Sequence, residues 1–229
     1  MKNIIATLLG LILISIAGFG QDASKTIDEL VLKMNKIKDY TVDAVITSDI
    51  PMVKILPSKA TIFFKQKDKF KIDAKGIAIV PKQGFTDISK ILANKNNYSA
   101  IFMGNENIGS TKTEVISIFP ASDTSDMILS KLWIDPNNDV VLKSQTTTRS
   151  SGMVTTAFTY GTQLKWGLPD KMVFTVDVKK FKIPKGVATD INKNSSKNTN
   201  EPEKKTGTVK IDLTNYKVNT GLSDAVFKK

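Results

Sequence analysis

Histidine and cysteine, which carry much of protein catalysis, occur nowhere in this chain. Their absence removes the usual nucleophile–base pairs, thiolate nucleophiles and most transition-metal sites together. What could still do chemistry is lysine beside serine, or two carboxylates poised for hydrolysis. No cluster of Asp and Glu gathers at a predicted strand end, and most acidic residues fall in turns. Asp135, directly before Pro136, has the form of a turn residue rather than a catalytic acid. Gly104 and Gly109 flank a predicted hairpin turn and form no phosphate-cradling loop. The residues therefore predict no enzyme, no metal and no cofactor.

The side chains that stand out instead are apolar. Phe63, Phe64, Phe70, Ile72, Phe102, Phe119, Trp133, Phe158 and Phe174 fall on strand-like stretches, joined by Met52, Met103, Met127, Met153 and Met172. Methionine adapts to irregular partners, so a wall of such residues suits a flexible greasy ligand. Each one alone is more simply explained as core. Whether they fill an interior or line a cavity depends on the elements that carry them.

Thr26 with Glu29 three residues on has the form of a capping box, and Ile27, Leu30, Val31, Met34 and Ile37 follow at helical spacing. The spacing predicts an amphipathic helix over 26–38. From Tyr40 the period changes to two: Tyr40, Val42, Ala44 and Ile46 alternate with Thr41, Asp43, Val45 and Thr47. Similar runs recur at 60–65, 69–74, 98–103, 113–119, 128–135, 140–148, 153–160, 171–182 and 208–218, giving about ten or eleven strands. Turn signals of hairpin size separate several of them: Lys67-Asp68, Asn105-Glu106-Asn107, Asp135-Pro136-Asn137-Asn138 and Ser150-Ser151-Gly152. Strands joined in sequence by short turns make an antiparallel meander, and so many of them curl toward a barrel or part of one. Two stretches break the rhythm. Residues 83–94 carry Phe85, Ile88, Ile91 and Leu92 at spacings of three and four, a second short amphipathic helix. Residues 185–206 are almost free of apolar side chains and read as a mobile polar loop.

With 229 residues, 41% hydrophobic, the composition is that of a globular chain with a sizeable core. Lys2, the apolar run Ile4–Ile16 and the small residues Gly18 and Gly20 predict a cleaved secretory signal over 1–20, with the mature domain spanning 21–229. The run is short for the roughly 20 residues that cross a bilayer. No cysteine follows it to be lipid-modified, so the mature protein is expected to be soluble. The formal charge is +11, yet Arg149 is the only arginine. Nucleic-acid readout leans on arginine, so the charge points to solubility or an anionic lipid surface and not to nucleic acid.

The order of these parts resembles the LolA-like family of periplasmic lipoprotein carriers, more broadly the outer-membrane lipoprotein-sorting proteins. Lys65-Gln66-Lys67-Asp68-Lys69-Phe70-Lys71-Ile72 is similar to the family's early strand–turn–strand, and Leu132-Trp133-Ile134-Asp135-Pro136 with Val140-Val141-Leu142-Lys143 to its "LWID" hairpin. Gly167-Leu168-Pro169 before Met172-Val173-Phe174 resembles the late "LP" strand entry, and Asn215–Asn219 with Gly221–Phe227 the ending of the broader group. The likeness covers nearly all of 21–229. It implies an incomplete β-barrel of LolA/LolB type covered by helices, a monomer whose apolar cavity receives acyl chains of a lipoprotein or another lipid. It also implies an inner-membrane complex that loads the carrier and an outer-membrane acceptor that unloads it. Gln66 stands where the family pattern has an arginine, so control of release through that arginine does not carry over.

The expected ligand-binding residues are Phe85, Ile88, Ile91 and Leu92 on the lid, with Phe64, Phe70, Ile72, Phe102, Phe119, Trp133, Phe158 and Phe174 on the sheet. Two other readings compete: an envelope sensory module of the same architecture that recognises a lipoprotein or peptide, and an envelope structural or adhesive protein whose interior is solid. The first would hold a stable protein partner, and the second would have no cavity.

Overall fold

The computed structural model describes residues 23–51, 56–66, 69–75, 87–177 and 206–228. The predicted signal, Met52, the Lys67-Asp68 turn, Phe85 and the polar stretch up to 205 lie outside them.

Among the described residues ten strands form one antiparallel sheet: β1 (Asp39–Asp49), β2 (Ser58–Lys65), β3 (Lys69–Lys75), β4 (Tyr98–Ile108), β5 (Thr111–Pro120), β6 (Met127–Asp135), β7 (Val140–Thr148), β8 (Gly152–Thr159), β9 (Lys171–Asp177) and β10 (Thr206–Val218). Their order is β3-β2-β1-β10-β9-β8-β7-β6-β5-β4. All neighbours are consecutive in sequence except β1 and β10, and β3 and β4 are left as the two edges, so the sheet is not closed into a barrel. Helix α1 (Ala23–Asn35) precedes the sheet, and the short helix α2 (Asp87–Leu92) lies on the connection between its two edges.

Strand pairing fixes the faces, because directly opposed residues share one. The line Phe102, Ile116, Leu132, Ser144, Thr156, Phe174, Val209 crosses seven strands on the inner face. The adjacent line Ile101, Ser117, Lys131, Gln145, Thr155, Thr175, Thr208 runs on the outer face. The predicted alternation in β1 follows this division: Val42, Ala44 and Ile46 are buried while Asp43, Val45 and Thr47 are exposed.

The inner face carries two apolar clusters. One joins β1, β2, β8, β9 and β10 around Phe174, Ile62 and Ile211, all with no exposure. The other packs Ala23, Ile27 and Leu30 of α1 and Leu92 of α2 onto Ile116, Ile118, Leu132 and Ile134 of β5 and β6. Between them lies a band of buried hydroxyls on β6–β8, in which Ser130 and Thr146 share a 2.8 Å hydrogen bond. Burying those hydroxyls costs less when they bond to each other.

Two local expectations are corrected. Thr26 is not an N-cap: α1 is already helical at Ala23, and the buried Thr26 hydroxyl donates to Glu114 of β5, while Glu29 pairs with Lys25 on the helix surface. Burial against the sheet, not capping, uses the threonine. The hairpin turn is not at Asn105–Asn107, which belong to β4; it falls at Gly109-Ser110, where Gly109 takes φ 60°. Glu106 is held in the strand by its own carbonyl, which accepts from Thr113, and by its carboxylate, which accepts from Trp133.

Candidate functional site

A hollow of about 200 Å³ lies where α1, α2 and the inner face of the sheet meet. The helical side is Leu30, Met34 and Ile88, continued by Ile37 just past α1. The sheet side is Tyr40, Phe64, Val141, Phe158, Met172 and Leu213, and the rim includes Tyr160, Trp166, Leu168 and Tyr216. The wall is chiefly apolar and aromatic. Tyr40 stacks on Phe64 with ring centres 5.1 Å apart and meets the edge of Tyr216 at 5.8 Å.

Polar groups on the wall are few and mostly committed. The Tyr160 hydroxyl donates to the Val141 carbonyl at 2.8 Å, and that of Tyr216 to the Pro169 carbonyl at 2.7 Å. Burial pushes the Tyr40, Tyr160 and Tyr216 hydroxyls well above the usual phenol range, so all three are neutral. Lys33 reaches from α1 to the Asn138 carbonyl at 2.5 Å. Burial lowers its ammonium below the usual lysine value, against the pull of nearby Asp139. Its stem lies along Gly167, where an added Cβ would sit 3.4 Å from Lys33 Cε; Gly167 also has φ 69°, which favours glycine. Asp135, expected as a turn former, accepts from Asn137 N at 2.9 Å and Asn138 Nδ2 at 2.7 Å. Among the described residues no group of three potential metal ligands comes together. The arrangement can enclose an apolar group; it brings no nucleophile to a base.

Of the residues expected at the site, Ile88, Phe64 and Phe158 line the hollow. Leu92 is buried in the cluster beneath α1, with Ile91 and Phe102 packed against it. Phe174 lies in the other cluster, with Phe70 and Ile72 against its flank. Two expectations are corrected: Trp133 and Phe119 face outward, opposite Lys143 and Ser99 respectively. Trp133 is nonetheless 3% exposed, because Lys131 and Lys143 lie over its ring, 4.6 Å and 4.3 Å from the centre, and its Nε1 donates to Glu106 at 2.7 Å. That hydrogen bond, with one from Lys131, holds the Glu106 carboxyl below its usual range. Aromatic character made these two look internal; their strand phase puts them outside. Phe85 lies outside the described residues.

Sequence reasoning missed the tyrosines. Tyr40 opens a strand whose alternation was legible, so its phase alone could have placed it inside. Tyr216 was not accessible that way: β10 buries Val209, Ile211 and Leu213 at odd positions, and the pairing with β1 shifts register opposite Thr41–Asp43, near Asn215 at φ 57°. A bulge there exchanges the faces, and Asn is a residue that tolerates the left-handed region.

Neither a family model nor a curated protein sequence matches the chain. Solved structures do share its fold. A LolA superfamily protein from Nitrosomonas europaea superposes with a TM-score of 0.58 at 12% identity, over 90% of this chain and 97% of the other. A DUF1329 family protein from Desulfovibrio piger gives 0.55 at 13%, again over 90% and 97%. An outer membrane lipoprotein-sorting protein domain from Vibrio parahaemolyticus gives 0.54 at 11%, over the same shares. An unclosed ten-stranded meander with its first and last strands paired, and helices against its inner face, has thus been matched over nearly its whole length: the chain has the LolA-like fold.

Proposed function

We propose that this protein is an exported carrier that shelters the acyl chain of a lipoprotein or another lipid on its way across the periplasm toward the outer membrane. The observation that carries the reading is the apolar hollow between two helices and an open sheet. Each methylene transferred out of water contributes about 0.8 kcal/mol, so an acyl chain of roughly 15 methylenes resists aqueous diffusion by about 12 kcal/mol. An apolar hollow in a soluble protein removes that barrier, and because bilayer and wall are similarly apolar, the chain can leave again. An inner-membrane loading complex and an outer-membrane acceptor are the partners such a route needs.

The hollow's size adds a mechanical condition. Ligand pockets generally run to about 300–1,000 Å³, and a cavity of about 150 Å³ holds only a benzene-sized guest. At about 200 Å³, the space admits the end of a chain; taking up the rest requires α1 and α2 to move away from the sheet. Ile88, on the lid side of the wall, is the point at which to test this.

The direct test is to purify the protein without detergent, extract it, and identify bound lipid by mass spectrometry. Acyl lipid in stoichiometric amount is expected, and a stable protein partner with no lipid would favour a sensory module instead. Ile88→Asp should weaken binding of a fluorescent fatty acid by about tenfold or more while leaving the sheet folded, since a charge on the wall is costly to bury. Unchanged binding would remove α2 from the lid.

A further inference from the structure

The side-chain donors on the wall of the hollow can be accounted for one at a time, and the account leaves a remainder. Tyr160 and Tyr216 have their hydroxyl protons on backbone carbonyls. Lys33 is spent on the Asn138 carbonyl beside Asp139, and Ser89 has an interaction of its own. The Trp166 indole has no hydrogen-bond partner among the described residues, but it is half-buried on the turn Leu164–Trp166 next to exposed Lys165, where water can serve it. Tyr40 remains. Its ring is pinned between Phe64 and Tyr216, it lines the hollow, and its hydroxyl has no hydrogen-bond partner among the described residues. That hydroxyl, half-buried in an otherwise apolar wall, is left to water, and a carbonyl oxygen brought in by a ligand can take that water's place.

We infer that Tyr40 is the polar anchor of this hollow, its hydroxyl donating to the carbonyl oxygen of an acyl ester, amide or acid whose chain lies along the apolar wall. This rests on the carrier reading above and adds a chemical requirement to it: the occupant is an acyl compound and not a bare hydrocarbon. The stacking on Phe64 and the edge contact with Tyr216 fix the ring, so the hydroxyl is positioned before the ligand arrives and little ordering is lost on binding. A neutral phenol suits a neutral carbonyl; the hollow's single ammonium, already engaged, is poorly placed to demand a free anion.

The test uses the full chain and displacement of the fluorescent probe aminoanthracene by two competitors of similar size, methyl decanoate and dodecane. In the wild-type protein the ester is expected to compete better than the alkane. Tyr40→Phe keeps the ring and removes the hydroxyl. It should weaken the ester about three- to tenfold, the effect of one neutral hydrogen bond, and leave the alkane unchanged. Tyr160→Phe, which removes a hydroxyl already spent on the backbone, should show no such selectivity. Equal ester affinity in Tyr40→Phe and wild type, or the same selective loss in Tyr160→Phe, would overturn the role of Tyr40 while the carrier reading stands. If the wild-type protein binds probe, ester and alkane not at all, the carrier reading falls and takes the anchor with it.

Discussion

Trp133 and Trp166 are the two tryptophans of the chain, and the structure puts them in opposite situations. Trp133 lies under two lysine side chains on the outer face, and Trp166 stands on the rim of the hollow. Emission from Trp166 should therefore shift to the blue when an acyl chain displaces water beside it, and Trp133 should stay silent. Trp133→Phe ought to retain the full ligand-induced shift and Trp166→Phe to lose most of it, as read by steady-state fluorescence; the opposite pattern would move the binding site to the outer face. At this scale the sequence was informative about chemistry and weak about direction. The lack of histidine and cysteine was visible at once, and so was the role of Asp135 before Pro136. The outward placement of Trp133 was not, because two lysines bury an aromatic ring as completely as a core does, and composition alone does not distinguish the two kinds of burial.

The elements are joined at a few polar points. The last carbonyls of a helix need partners, and those at the end of α1 and just past it find them on distant parts of the chain: Gln66 donates to the Asn35 carbonyl at 3.0 Å, and Asn219 to that of Lys36 at 2.9 Å. Gln66 thus ties the turn after β2 to the end of α1. The end of the chain forms a second fastening. Asp224, on the turn Asp224–Phe227, accepts from Lys65 at 2.8 Å and Lys69 at 2.6 Å, and Lys71 donates to the Val226 carbonyl at 2.8 Å. These hydrogen bonds hold the Asp224 carboxyl down at about 2. Because the folded-state value lies below the ordinary carboxylate range, the stabilisation is complete above that range and fades as pH falls toward about 2. Asp224→Asn should therefore be less stable than wild type near neutral pH, and the two stability curves should converge as pH approaches 2; curves that stay parallel would show that the clasp is not ionic. The α1 stripe and most strands were legible because burial alternates with their periods. The fastenings were not, since each joins residues remote in sequence through a backbone carbonyl, which leaves no compositional trace.

For the whole molecule, the meander could be read from its short turns, but the pairing of β1 with β10 could not, because no turn links them. That single pairing unites the sheet. Without β10, the strands fall into one piece made of β1–β3 and another of β4–β9, with no strand hydrogen bonds between them. A chain ending at residue 205 would also lack Val209, Ile211 and Leu213, now 0–4% exposed. At roughly 1.5–3 kcal/mol per side chain, their loss is comparable to the total stability of an ordinary domain, about 5–15 kcal/mol. Urea titration of that shortened chain is expected to show no cooperative transition; a sharp one would mean that the two pieces hold together by their side chains alone. The same arrangement governs the timing of folding. The strand that splices the two pieces is made after every strand it joins, so the polypeptide stays loose until that strand emerges and gains its rigidity in one late step.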